Sequence, residues 1–94
     1  MLTPQRTMPR LEKEIIVMNT QGLHARPAAL FVQIACKYNS TITVQKGEEK
    51  VNGKSIMGIL MLGAHHQSQI KLIIEGDDAT AAMNDLEGFL KKKE

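Results

Sequence analysis

Apolar residues first cluster at Ile15, Ile16, Val17 and Met18, a β-prone run that closes on Asn19, Thr20, Gln21 and Gly22, so the pattern predicts a strand and then a turn. Beyond the turn, Ala28, Phe31, Val32, Ala35 and Tyr38 recur at helical spacing, which predicts a helix over residues 25 to 38 with one apolar face, ending near Asn39. Residues 41 to 46 alternate, with Ile42 and Val44 expected inward, and Gly47-Glu48-Glu49 turns the chain into a short strand around Lys50 and Val51. Asn52-Gly53 ends that strand. Ser55 is then placed to cap a short helix in which Ile56, Ile59 and Leu60 share a face. Because residues 56 to 62 are apolar on most sides, Ile59 and Leu60 are the expected core positions and Ile56 and Met57 the expected outward ones. Lys71 to Glu75 reads as a last strand and Gly76-Asp77-Asp78 as a turn whose aspartates suit a helix start. Ala79, Ala82, Met83, Leu86, Phe89 and Leu90 then form an amphipathic helix.

The order is strand, helix, strand, strand, short helix, strand, helix. Short strands of alternating polarity bury one face only, so the helices belong together on that face. The expected fold class is α+β: an open-faced sandwich with a four-stranded antiparallel sheet and three helices on one side. A chain of 94 residues, 43% apolar and 23% charged, suits one small domain. The expected organisation is a flexible N-terminal extension over residues 1–10, punctuated by Pro4 and Pro9, and a single domain over 11–94. Aromatics are scarce, so the core is expected to be aliphatic.

Twelve Lys plus Arg against ten Asp plus Glu leave a formal charge of +2, too weak to argue for nucleic acid or a membrane surface. No apolar segment approaches the roughly 20 residues of a membrane span, and the N-terminus has no apolar core of a signal peptide. Cys36 is the one cysteine, which rules out an intramolecular disulfide and points to a reducing, cytoplasmic compartment; it is expected to be a buried or half-buried structural thiol.

The chemistry concentrates in Gly22-Leu23-His24-Ala25-Arg26-Pro27-Ala28. Pro27 suits the first helical turn, where its missing N–H costs nothing, and this pins the helix start close to His24. His24 then falls at the N-cap, beside unpaired backbone N–H groups and the positive end of the helix dipole. Those donors favour an anion, and Arg26 adds a planar charged fork suited to phosphoryl oxygens. A neutral imidazole is also a nucleophile. Together these features describe a group that accepts a phosphoryl and holds it as a dianion.

This stretch, with the sequence from about Leu11 to Leu90, resembles the HPr family, the histidine-containing phosphocarriers of the sugar phosphotransferase system, whose G-x-H-A-R-P-A pattern it carries intact. The resemblance implies that Enzyme I, charged by phosphoenolpyruvate, donates to Nδ1 of His24 and that sugar-specific acceptor subunits receive. It implies that Arg26 coordinates the phosphoryl oxygens, with Leu23 and Ala25 in the stabilising loop, and that the chain is a relay rather than a stand-alone enzyme. Neither a metal nor an organic cofactor is expected.

Asn52-Gly53-Lys54-Ser55-Ile56-Met57-Gly58 carries a second signal. Gly47 followed by Gly53-Lys54-Ser55 misses the P-loop spacing, with five residues between the glycines instead of four. In the family it resembles, the serine at this place is the target of a regulatory kinase, which makes Ser55 a second expected phosphorylation site. A phosphate there is tolerated at a helix N-terminus, so its effect would fall on partners, among them a transcription factor. The resemblance also implies that Ile56, Met57 and Leu60 join the His24 helix in one docking surface on a monomer. A glycine is usual in the family where Ser68 stands. Adjacent His65 and His66 have no chelating geometry in a helix or a strand and are expected to be solvated loop residues. Three other readings stay open: a non-transferring regulatory module acting through Ser55, although such relatives replace the histidine that is His24 here; a carrier of a nitrogen-related branch; and a structural domain in which both motifs are incidental.

Overall fold

The computed structural model describes residues 9–93; the expected extension therefore lies, but for Pro9 and Arg10, outside the described residues. The elements follow in the expected order: β1 (Arg10–Ile16), α1 (Ala25–Ala35), β2 (Thr41–Lys46), β3 (Glu49–Asn52), α2 (Ile56–Leu62), β4 (Gln69–Glu75) and α3 (Ala79–Leu90). One four-stranded sheet has the order β1-β4-β2-β3 with every pair antiparallel. β4 thus separates β1 from β2, and α1 carries the chain across between them, which places the first helix above the middle of the sheet. α3 packs on β1 and β4, α2 on β2 and β3, and α1 bridges the two helices. The result is the open-faced sandwich with three helices on one side.

Register explains why the helices share a face. Leu11 and Ile42 both stand opposite Ile74, Ile15 opposite Ile70, and Val44 between Leu72 and Val51. Ile15, Ile42, Val44, Ile70, Leu72 and Ile74 are essentially inaccessible, and the outward positions of β1 are the polar Arg10, Glu12 and Glu14, followed by an exposed Ile16. Phe31 of α1 fills the centre, 6.4 Å from the Phe89 ring of α3. Burial of such side chains, about 1.5–3 kcal/mol each, is the main term that offsets chain entropy in a domain of this size.

Four local expectations need correction. α1 stops at Ala35 rather than Tyr38, because the Lys37 and Tyr38 amides bond back to the Ile34 and Ala35 carbonyls in tighter turns. Cys36 is exposed, since it falls at the helix C-cap as the chain turns away; its Sγ lies 3.9 Å from the Lys54 carbonyl. In α2 the core positions are Ile59 and Leu62, while Ile56 and Leu60 are 39% and 38% exposed. A seven-residue helix that is apolar all round offers several faces, and its contact with β2 and β3 selects one. Finally, the left-handed residue of the turn before β4 is Gln67, at φ +71°, so the place that favours glycine is one residue earlier than Ser68.

The loop from α1 to β2 is held by Asp78 at the start of α3. Its carboxylate accepts the Asn39 amide at 2.8 Å, the Ser40 amide at 3.0 Å and the Ser40 hydroxyl, and so reaches back to the loop instead of capping its own helix. The Ser40 hydroxyl, then the Asn39 amide, hold this carboxyl below its ordinary value of 3.8. The Tyr38 hydroxyl, 2.7 Å away, does the same for Asp85, and Lys13 and Lys91 do so for Glu87. A carboxylate whose folded value is depressed contributes stability above its unfolded value, and that contribution disappears as pH falls through the folded one. The melting temperature is therefore expected to hold from neutrality down to about pH 4 and to fall below it, with the acid limb shallower in Asp78→Asn. Thermal melts across this range check it, and a flat profile down to pH 2 would contradict it.

Candidate phosphoryl-transfer site

The turn that delivers His24 is built backwards from a glycine. Asn19 starts it: its side-chain oxygen accepts the Gln21 amide at 2.8 Å and its carbonyl accepts the Gly22 amide at 3.0 Å. Gly22 sits at φ +65°, and a Cβ there would lie 2.6 Å from the Ala64 carbonyl oxygen and 3.0 Å from the His65 backbone. Only glycine permits both the angle and the approach. Gly22→Ala is expected to destabilise the domain by about 2 kcal/mol or more, the sum of a strained backbone and a backbone clash, and to displace the His24 turn. Denaturant unfolding checks the first effect; wild-type stability would show that the approach is not needed.

Leu23 follows with its side chain buried and its amide donating to the Ala64 carbonyl at 2.8 Å. This corrects the expectation for Leu23: its donor is spent and its side chain is in the core, so it anchors the turn and does not face a phosphoryl group. His24 is the N-cap of α1, at φ −122° and ψ 157°, exposed and making no side-chain cap bond. Its ring is therefore uncommitted by capping. Ala25 is held at φ +48°, a left-handed conformation that costs an alanine on the order of 1–3 kcal/mol and marks strain at the point where the helix opens. Among the described residues, the amides of Ala25 and Arg26 have no hydrogen-bond partner, and Pro27, buried in the first turn, has none to offer. Two unspent N–H groups and the positive end of the helix dipole thus lie next to His24 in the chain, with the exposed side chain of Arg26 in the same first turn.

Arg26 also lines a cavity of about 460 Å³ with Asn19, Gln21, Pro27, Leu30, Phe89 and Lys92, between the start of α1 and the end of α3. Across the turn, the His65 ring lies 5.9 Å from that of His24, centre to centre and tilted by 34°. Sequence spacing gave no hint of this neighbour. Among the described residues, no cluster of three or more His, Cys, Asp or Glu side chains has the arrangement of a metal site, and no helix is long and apolar enough to cross a membrane.

Ser55 is the N-cap of α2. Its hydroxyl oxygen accepts the Gly58 amide at 3.1 Å and its carbonyl accepts the Ile59 amide at 3.0 Å. It is half-buried, in a corner tightened by Gly53, whose amide donates to the Ile42 carbonyl, and by Lys54, whose Nζ reaches the Tyr38 carbonyl at 2.6 Å. Beyond it Ile56, Met57, Leu60 and Met61 project outward, Met57 and Met61 being 63% and 75% exposed. Leu30 of α1 is also exposed, but it lines the cavity beside Phe89 and Lys92 at the end of α3.

An exposed imidazole at the open N-terminus of a helix, with an arginine in the first turn, on an open-faced α+β sandwich fits the class of small phosphoryl-relay proteins. The family model described as the HPr component phosphorylation site of the phosphotransferase system matches residues 11–92. Among curated relatives, the HPr-like protein Crh of Halalkalibacterium halodurans is 47% identical over 83 residues, 88% of this chain and 99% of that protein. The phosphocarrier protein HPr of Treponema pallidum is 41% identical over 81 residues, 86% of this chain and 92% of that one. The crystal structure of HPr from Thermoanaerobacter tengcongensis superposes with a TM-score of 0.86 at 49% identity, covering 88% of this chain and 93% of that one. The chain belongs to the HPr/Crh family of phosphocarrier proteins of the phosphotransferase system. Its function is that of a phosphocarrier, a relay rather than a catalyst, and proteins of this family work with Enzyme I and sugar-specific acceptor subunits.

Proposed function

We infer that His24 is the phosphoryl acceptor of this relay, taking the group from Enzyme I and giving it to sugar-specific subunits. The observation that carries the reading is the exposed His24 ring at the N-cap, uncommitted by any capping bond, with the Ala25 and Arg26 amides open beside it. The Nδ1 lone pair of His24 forms the new N–P bond as the donor's bond to phosphorus breaks, and that electron pair returns to the donor. The transferring group carries its charge on three oxygens through a loose transition state, so what the carrier supplies is positioned positive charge. The two amides, the helix dipole and Arg26 supply it. Relatives of both names are similar to this chain, and it is the presence of His24 with Arg26 that favours a transferring carrier over a module acting through Ser55 alone.

Ile56, Met57 and Leu60, with Met61, form the docking side for these partners, an exposed apolar patch on α2. Ser55 at its rim is the regulatory phosphorylation site. Phosphate there places nearly two negative charges at the start of α2, which the helix tolerates and an acidic partner does not. The protein acts as a cytoplasmic monomer, although a solved Crh of Bacillus subtilis is described as a swapped dimer, which makes light scattering of the purified protein worth measuring.

Incubation with phosphoenolpyruvate and catalytic Enzyme I is expected to load one equivalent of acid-labile, base-stable phosphate. Absence of any label overturns the carrier reading. The serine kinase with ATP is expected to load acid-stable phosphate on Ser55 and to slow charging by Enzyme I; unimpeded charging of that form would remove the regulatory role.

A further inference from the structure

Three independent ties fasten the loop from Ala64 to Ser68 against the turn that carries His24. The Leu23 amide donates to the Ala64 carbonyl at 2.8 Å, and Nδ1 of His66 lies at hydrogen-bond distance, 3.2 Å, from the Asn19 carbonyl. Gly22 packs directly on the backbone of Ala64 and His65, with no room for a methyl group. Within the loop, the His65 amide donates to the Ser68 hydroxyl at 2.8 Å and the Ser68 amide returns a bond to the His65 carbonyl at 3.0 Å, while the Gln67 amide donates to the Val17 carbonyl just after β1 at 2.6 Å. His65 is thus presented beside His24 by the fold, on a rigid loop, and not by a mobile surface segment.

The two neighbouring histidines have separate tasks. His66 is tied to Asn19, whereas the ring nitrogens of His65 have no partner among the described residues, and the ring is exposed 5.9 Å from that of His24. A phosphoryl group on a His24 nitrogen carries three oxygens outward by about the length of two bonds. A donor ring at this separation reaches such an oxygen at the usual distance of about 2.8 Å after a modest side-chain rotation. The contact is charge-assisted, because the acceptor is an anion, and it adds a third kind of donor to the backbone amides and Arg26.

Resting on the reading of His24 as acceptor, we propose that His65 is a second imidazole of the phosphoryl site, its ring N–H donating to an oxygen of the phosphoryl group on His24. No covalent bond to His65 forms and none breaks; the N–P bond belongs to His24 throughout. The oxygens of the phosphoryl group on His24 carry the charge of the loaded form, so a donor fixed beside them stabilises the loaded carrier relative to the free one. His65 therefore sets how strongly this carrier retains its phosphoryl group.

The test uses the full chain with Enzyme I at a fixed ratio of phosphoenolpyruvate to pyruvate, comparing wild type, His65→Ala, His65→Gln and His66→Ala. All four are expected to fold, since both rings are exposed, and to take at most one equivalent on His24. The equilibrium constant for loading is expected to fall about 10-fold in His65→Ala, the low end of what one hydrogen bond to a charged group contributes. It recovers in His65→Gln, which retains an N–H donor, and stays at the wild-type value in His66→Ala, which loses a tie of the loop but not the donor. In wild type, loading moves the ring nitrogen resonances of His65 and leaves those of His66 in place. A wild-type constant in His65→Ala, no recovery in His65→Gln, or an equal fall in His66→Ala overturns the proposal while leaving the carrier intact. A wild type that accepts no phosphate overturns the carrier reading itself, and this proposal with it.

Discussion

His24→Ala is expected to abolish acceptance of phosphate from Enzyme I while the melting temperature stays within about 2 °C of wild type. The loss is total because no other nucleophile has the same surroundings. His65 lies beside the ring of His24 but is not at a helix N-cap, and His66 is turned to Asn19. Stability is spared for a different reason. The His24 side chain is exposed and makes no capping bond, so truncating it removes no intramolecular contact of the kind that gives large destabilisation. Labelling with phosphoenolpyruvate and Enzyme I, followed by thermal melts, reads both halves. A mutant that still charges at the wild-type rate would exclude His24, and one that fails to fold would show that the ring is structural.

Arg26→Ala is expected to lower kcat/KM for charging by about 100-fold, the scale seen when one preorganised donor to a developing anion is lost. The guanidinium is exposed and forms no ion pair among the described residues, so the fold is expected to survive. Arg26→Lys recovers only part of the loss, since an ammonium keeps the charge but not the planar fork. Stopped-flow charging of the three forms gives the comparison. An Arg26→Ala carrier within threefold of wild type would assign the positive field to the helix terminus alone.

Much of this was legible in the chain itself. Strand, helix, strand, strand, helix, strand, helix follows from the two periodicities, and Pro27 fixes the start of α1 so tightly that His24 and Arg26 are placed before any coordinates are known. What was not legible depends on packing between elements distant in sequence. The exposed side of α2 is decided by its seat on β2 and β3, since the helix itself is apolar all round, and so Leu62 takes the core place expected of Leu60. Cys36 sits in an apolar-rich segment, yet the helix ends one residue before it and the thiol turns outward. Leu23 belongs to the motif by sequence and to the core by structure. His65 carries no periodic or motif signal at all; it reaches His24 only because β1 and β4 pair and bring the loops at their ends together.

The most direct measurement is phosphorus NMR of the loaded protein with nitrogen-15 in its histidine rings. A single phosphorus resonance, split by one-bond coupling to a ring nitrogen assigned to His24 and absent from His24→Ala, is the predicted result. Coupling to His65 or His66, or a phosphorus signal coupled to no nitrogen, would contradict the assignment of His24 as the group that carries the phosphoryl.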